Sequence, residues 1–331
     1  MEPWHKISVL DHGYVIFVDS MGSDEAIVEA ARMSTGRGFV SWEAYKRCKR
    51  CDDVTLVARD GSLIGLFAEV RGGGGSGSFN PPMTVLREGC RYRQECGQGG
   101  EHDWQDFPRG DLAMLEFMYK NKHSTPFEFG ELHIEVQAPL MVFREWHRHR
   151  TQAYSEFSAR YSQMPDLHYL PALDRVQMQS QANRQGSGEA LKPGEAQRVV
   201  YRMRDQQVDI YDYYDELVKD GVAKEIARLN TPVSRYSKMR AKTDLRNWLA
   251  FLMLRMSPNA QYEIRMYANA VAEIVKAVWP RTFALFEEHD LHGVHLSRSE
   301  AAALAPNVSS NTLAVQLGEK TAVALLKKLG G

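Results

Sequence analysis

Between Leu132 and Gln137, apolar Leu132, Ile134 and Val136 alternate with polar His133, Glu135 and Gln137. That is the period of a strand that buries one face and leaves the other wet. Pro139 follows and suits the first turn of a helix, so a helix is expected from about Leu140. The helix leads into REWHRHRTQAYSEFSARYSQMP, a window with more fixed positive charge and polar donors than any other of its length. Each helical residue turns by about 100°, so Arg144 and Arg148 are expected on one face while Arg148 and Arg150 point to different sides. Guanidinium is permanently charged and forks to match phosphate oxygens, so these arginines beside Ser155 and Ser158 suit a nucleotide or a dinucleotide cofactor. A solvated basic face balanced by Glu145 and Glu156 accounts for the same residues equally well.

The chain has 331 residues and a net charge of −1. That length holds one large domain or two ordinary ones with a sizeable core. A neutral balance gives no general attraction to nucleic acid or to an anionic membrane, so a basic site has to be a local pocket. The opening MEPWHKISVLDHG is not a basic segment followed by an apolar run, and no window approaches the roughly 18 apolar residues of a membrane span. A cytoplasmic protein is expected.

Tyr14 to Val18 reads as a strand, and Gly22-Ser23 opens a helix through Ile27, Ala30 and Ala31 that Ser34 and Gly36 end. From about Gly38 to Gly110 the pattern changes to KRCKRC, a hairpin-like TLVARDGSLIGLFAEV, a glycine run and CRYRQECGQGG, which together read as an insertion. Asp111 is placed to cap a helix that buries Leu112, Leu115 and Met118 or Tyr119. QMQSQANRQGSGEALKPGEA reads as a polar loop of the kind that closes over a ligand. Helices are expected over Gln197 to Lys219, Val222 to Leu229, Asp244 to about Ser257, and Ala260 to Val278. The fold class is therefore α+β, a mixed β-sheet packed with long helices and interrupted by a cysteine-bearing segment. The expected organisation is a discontinuous main domain (1–37 and 111–295), an insertion (38–110) and a C-terminal extension (296–331).

Cys48, Cys51, Cys90 and Cys96 could give one zinc ion four thiolates, the Cys48-x2-Cys51 pair being the better spaced. Such a zinc is structural, because four thiolates leave no open position. Reduced, unligated thiols are the plainer reading. His147 and His149 are two apart and diverge on a helix, which argues against a catalytic metal. The glycine run at Gly72 has neither dinucleotide nor Walker spacing, so any nucleotide must be held by side chains.

Arg148-His149-Arg150, seven intervening residues, Ser158, then Arg160-Tyr161 resembles the signature of the flavin-dependent thymidylate synthases, the ThyX family. HSTPFE from His123, GVAKEIARLNTP from Gly221 and DLRNWLAFLMLRMSPNAQYEIRMYA from Asp244 extend the resemblance, as does the segment from Val9 to Ser34. It implies methylation of dUMP with methylenetetrahydrofolate as carbon donor, FAD as redox carrier and NADPH as reductant, in a homotetramer with sites between subunits. It places Thr125, Arg148, His149, Arg150, Glu156, Asp244, Leu245 and Arg246 against FAD. Glu145, Arg148, Glu156, Phe157, Ser158, Ala159, Arg160, Arg228 and Arg255 fall on the nucleotide side. Arg255 matches the arginine set against the uracil ring, where a cation favours the N3-deprotonated base by about 1–3 pKa units. That activates C5 without a covalent thiolate adduct.

Three positions depart from the family pattern: Glu145 and Asp244 replace common amides, and Ala250 stands where a polar side chain often meets the flavin. Two rivals remain open. One is a nucleic-acid-binding protein with Arg148-His149-Arg150 as a phosphate-contacting helix and the cysteines as a zinc finger. The other is an inactive flavin- or nucleotide-binding homologue altered by its insertion. If the insertion holds zinc, elemental analysis should find the metal in the wild-type chain and its loss in Cys48→Ser; metal-free wild-type protein excludes the zinc module.

Overall fold

The alternation around Ile134 forms an inner strand of a five-stranded sheet whose apolar face supports the helices of the site. The computed structural model describes residues 2–49, 54–57, 63–68, 84–85, 103–181 and 186–330. The chain begins with β1 (Lys6–Val9), β2 (Gly13–Met21) and α1 (Asp24–Arg32), then runs through short strands β3 (Tyr45–Cys48), β4 (Val54–Val57), β5 (Leu63–Ala68), β6 (Thr84–Val85) and β7 (Trp104–Phe107). Next come α2 (Leu112–Lys120), β8 (Glu131–Pro139), α3 (Leu140–Trp146) and β9 (Ala153–Glu156). The hairpin β10 (Gln177–Gln179) and β11 (Ser187–Ala190) precedes α4 (Pro193–Lys219), α5 (Lys224–Ala227), β12 (Tyr236–Asp244), α6 (Leu245–Arg255), α7 (Tyr262–Val278) and α8 (Pro280–Phe286).

The main sheet has the order β1-β2-β8-β12-β9. The α+β class is as expected; the pairing within this sheet is antiparallel throughout rather than mixed. β12 pairs β8 along its whole length, from Tyr236 opposite Pro139 to Asp244 opposite Glu131. On one face Leu132, Ile134, Val136 and Ala138 are fully buried beside Val15, Met239 and Ala241. Burying each larger side chain contributes about 1.5–3 kcal/mol. Trp248, Phe251 and Leu252 of α6 and Ile264, Val271 and Ile274 of α7 are buried with them, and the Trp248 indole donates to the Leu132 carbonyl at 3.2 Å. The opposite face pairs Glu135 with Arg240 at 2.7 Å and Glu131 with Lys242 at 2.5 Å.

β12 was not foreseen, although Met239, Ala241 and Thr243 alternate with Lys238, Arg240 and Lys242. Its buried residues are small or polar enough to mute the period. The stretch expected as a polar loop over Gln177 to Ala196 contains the β10–β11 hairpin, and Leu191 donates back to Val176 at 3.2 Å.

β3 to β7 build a second antiparallel sheet, ordered β6-β5-β4-β3-β7, inside the segment read as an insertion. Its connection to α1 and α2 is polar and buried. Arg32 donates to both Asp111 oxygens at 3.0 and 2.6 Å and to the Tyr45 hydroxyl at 3.0 Å; Tyr45 donates to Asp111 at 2.8 Å and the Val40 N–H does so at 2.7 Å. Asp111 thus sits at the start of α2 without capping it through its side chain. A carboxylate with no solvent exposure needs a charged donor, and Arg32, Tyr45 and the Val40 N–H together occupy its oxygens. Burial, reinforced by Asp111, pushes the Tyr45 hydroxyl up to about 12. Cys48 is fully buried in β3, whereas Cys51, Cys90 and Cys96 lie outside the described residues. Among the described residues no cluster of three or more His, Cys, Asp or Glu could hold a metal.

The chain divides into two compact units, Met1–Leu285 and Phe286–Gly331. The second carries α9 (Arg298–Leu304), α10 (Ser310–Leu317) and α11 (Glu319–Gly330), with α9 opened by a capping box between Ser297 and Glu300. No helix among the described residues is long and apolar enough to cross a membrane. Because Asp111→Ala would leave Arg32 buried without its partner, that change should cost about 3–5 kcal/mol in urea unfolding; a loss below about 1 kcal/mol would show that this ion pair does not hold the two sheets' connection.

Candidate active site

The helix out of β8 is shorter than its sequence suggests. α3 ends at Trp146 with His147 as its cap, so Arg148 and Arg150 lie in the turn before β9 rather than on a helix. The turn is locked by side chains. The Tyr154 hydroxyl lies 3.2 Å from the Trp146 carbonyl and 2.7 Å from that of His149, and the Trp146 indole donates to Gln152 at 2.9 Å. These contacts satisfy carbonyls a continuing helix would have used and return the chain to pair with β12. The different directions expected of Arg148 and Arg150 therefore cannot be derived from helical spacing.

Arg255 is the last residue of α6 and meets this turn. Its Nε donates to His149 Nε2, its Nη1 to a Glu145 carboxylate oxygen and its Nη2 to the Glu145 carbonyl, each at 2.9 Å. Arg148 reaches the other Glu145 oxygen at 3.8 Å, but its side chain is 73% exposed against 15% for Arg255. Glu145 thus has the arginine partners its charge requires. Burial first, then Arg255, push the His149 imidazole down to about 4, with Glu145 opposing.

The loop after β9 continues the site. Glu156 accepts from the Ser237 hydroxyl at 2.9 Å, and the Phe157 N–H donates to the Lys238 carbonyl at 2.8 Å. Ser158 accepts the Arg160 N–H on its hydroxyl at 3.3 Å and the Tyr161 and Ser162 N–H groups on its carbonyl at 3.1 Å, which winds 158–162 into a tight turn. No hydrogen bond activates the Ser158 hydroxyl as a nucleophile among the described residues. Ala159 is buried in one cluster with Met164, Tyr214 and Ala227, which brings the neighbouring Arg228 to this loop. Arg160 pairs with Glu225 at 3.1 Å. Arg235, which sequence reasoning missed, lies buried near Glu156 and Arg228, its Nε without a hydrogen-bond partner. An arginine beside Tyr236 at a strand start carries no signal of burial.

The third group joins through β12. Thr243 donates to the Thr151 carbonyl at 3.1 Å, setting Asp244 to Arg246 beside the Arg148–Arg150 turn. Asp244 caps α6 by accepting the Asn247 N–H at 2.9 Å and also takes the Asn247 amide at 2.6 Å. Thr125 opens the short helix Thr125–Phe129, whose Glu128 pairs with Arg246 at 2.5 Å. Leu245 is fully buried, so it offers no side chain to a ligand, and its N–H donates to the Gly130 carbonyl at 2.7 Å. Arg150 and the Arg228 guanidinium have no ion pair among the described residues, and exposed Arg148 and Arg150 keep forked donors available to an anion.

Residues 17–281 match the family described as thymidylate synthase complementing protein. Flavin-dependent thymidylate synthases from Gluconobacter oxydans and Thermus thermophilus are 33% and 34% identical to the chain, each over 92% of it and over 80% and 86% of their own lengths. The chain belongs to the flavin-dependent thymidylate synthase family. A solved UMP/dUMP methylase, PolB from Streptomyces cacaoi bound with 5-Br dUMP, shares the fold at a TM-score of 0.57 and 24% identity, over 85% of this chain and 97% of its own. The family match spans the Arg148–Ser158 motif, Arg228 and Arg255.

His149 faces Arg255, Glu145 and the Phe251 ring, and its pKa has a consequence for stability. Between pH about 6.5 and about 4 the unfolded chain takes a proton on this ring that the folded chain refuses, so stability falls as pH falls through that window. His149→Gln, which does not titrate, should flatten that part of the urea-midpoint curve; an unchanged slope would contradict the depressed ring.

Proposed function

We propose that this chain converts dUMP to dTMP, with methylenetetrahydrofolate giving the carbon, FAD carrying electrons and NADPH supplying them, as a cytoplasmic homotetramer with sites built between subunits. The observation that carries the reading is the seat of Arg255, a mostly buried, permanently charged group fixed beside the motif arginines. A cation beside the pyrimidine favours the N3-deprotonated ring, and the ring's added negative charge makes C5 nucleophilic. The phosphate would be met by Arg228 and Arg160 with the Ser158 turn, and Glu145, Phe157 and Ala159 shape the same side.

Arg148, Arg150, His149, Thr125, Glu156, Asp244 and Arg246 are the residues that would hold FAD. When bound, the flavin supplies the two-electron chemistry that reduces the transferred one-carbon unit. What the chain's own side chains supply is charge in fixed positions. Cys48 is fully buried within β3 and exposes no thiol to a ligand.

The purified protein should show an oxidised-flavin spectrum that NADPH bleaches without oxygen. Arg255→Ala should keep that spectrum while releasing tritium from 5-tritiated dUMP at least about 100-fold more slowly. Colourless protein that binds DNA with a steep salt dependence would overturn the enzyme reading, and unchanged turnover in Arg255→Ala would remove Arg255 from the chemistry.

A further inference from the structure

Arg255 is held at three nitrogens by two residues, through His149 Nε2, the Glu145 carboxylate and the Glu145 carbonyl. Guanidinium is planar, so contacts at Nε, Nη1 and Nη2 set its plane as well as its position. His149 is itself held from two sides. Its ring lies 4.8 Å from that of Phe251, at 69°, one helical turn before Arg255 on α6. Its carbonyl accepts the Tyr154 hydroxyl at 2.7 Å. Arginine keeps its Nε proton, so His149 Nε2 must be the acceptor and the imidazole proton sits on Nδ1. The Nδ1–H then points away from Arg255, with no partner among the described residues.

We propose that His149 and Glu145 are positioning residues for Arg255: the imidazole nitrogen and the carboxylate fix the plane in which the guanidinium meets the pyrimidine. This rests on the reading of Arg255 as the residue that faces the base. An arginine left to itself samples many rotamers, and a displacement of about 1 Å at a reacting group costs about 100-fold. Glu145 also offsets part of the Arg255 charge, so the cation is held without being cancelled by a second carboxylate. On this reading the central histidine of the motif acts through Arg255, in addition to any contact its Nδ1–H makes with the flavin.

The test is a double-mutant cycle in the holoenzyme. His149→Phe keeps a ring against Phe251 but has no acceptor for Nε; Arg255→Ala removes the group it is said to hold. His149→Phe should lower kcat about 10- to 100-fold with flavin content retained, and should weaken dUMP binding, measured by calorimetry. In the Arg255→Ala background the same change should weaken dUMP binding no further. Full additivity, or a His149→Phe enzyme with wild-type kcat beside an impaired Arg255→Ala, overturns the positioning role and leaves Arg255 in place. Wild-type binding and turnover in Arg255→Ala instead overturns the reading of Arg255 as the residue that faces the base, and the enzyme reading stands. Should His149→Phe lose its flavin, His149→Ala is put through the same cycle and judged by the same outcomes.

Discussion

Everything at the site depends on the pairing of β12 with β8. The strands are antiparallel, so their helices leave from opposite ends of the sheet: α3 follows Pro139 and α6 follows Asp244, which faces Glu131. Both run on the buried side, α6 for roughly 16 Å at 1.5 Å per residue. Their C-terminal ends meet, and Arg255 arrives where Glu145 closes α3. A helix C-terminus carries partial negative charge and unpaired carbonyls, which makes it a favourable place for a cation. Arg255 satisfies one of those carbonyls with Nη2 and needs no additional buried anion beyond Glu145.

The same meeting point explains the charge balance. Three arginines and one carboxylate crowd this turn, and a protonated His149 would add a fourth cation. The ring instead stays neutral and accepts from Arg255. Glu145 is absorbed by Arg255 at 2.9 Å and, more loosely, by Arg148 at 3.8 Å. Arg148 and Arg150 stay toward solvent, available to an anion, while Arg255 is committed to one orientation.

Much of this was legible in the residues. β8 declared itself through Leu132, Ile134 and Val136, α1 and α6 open at Ser23 and Asp244, both capping as their chemistry suggests, and α4 and α7 lie where helices were expected. β12 was hidden because Ser237, Ala241 and Thr243 are buried without being strongly apolar. Asp111 stands at the cap position of α2 as its local pattern suggests, but its carboxylate is taken by the distant Arg32 rather than by the helix.

The sequence by itself determined which chemical groups are present and, through the Arg148–Ser158 spacing, which family they belong to. Local periodicity and motif spacing are short-range properties, and they survive reading in one dimension. Where α3 stops, that Arg255 lies against His149 and Glu145, and that Arg235 is buried near Glu156 and Arg228 were decided only by tertiary structure. Arg255 lies 106 residues from His149, and only the assembled sheet brings such partners within hydrogen-bond reach.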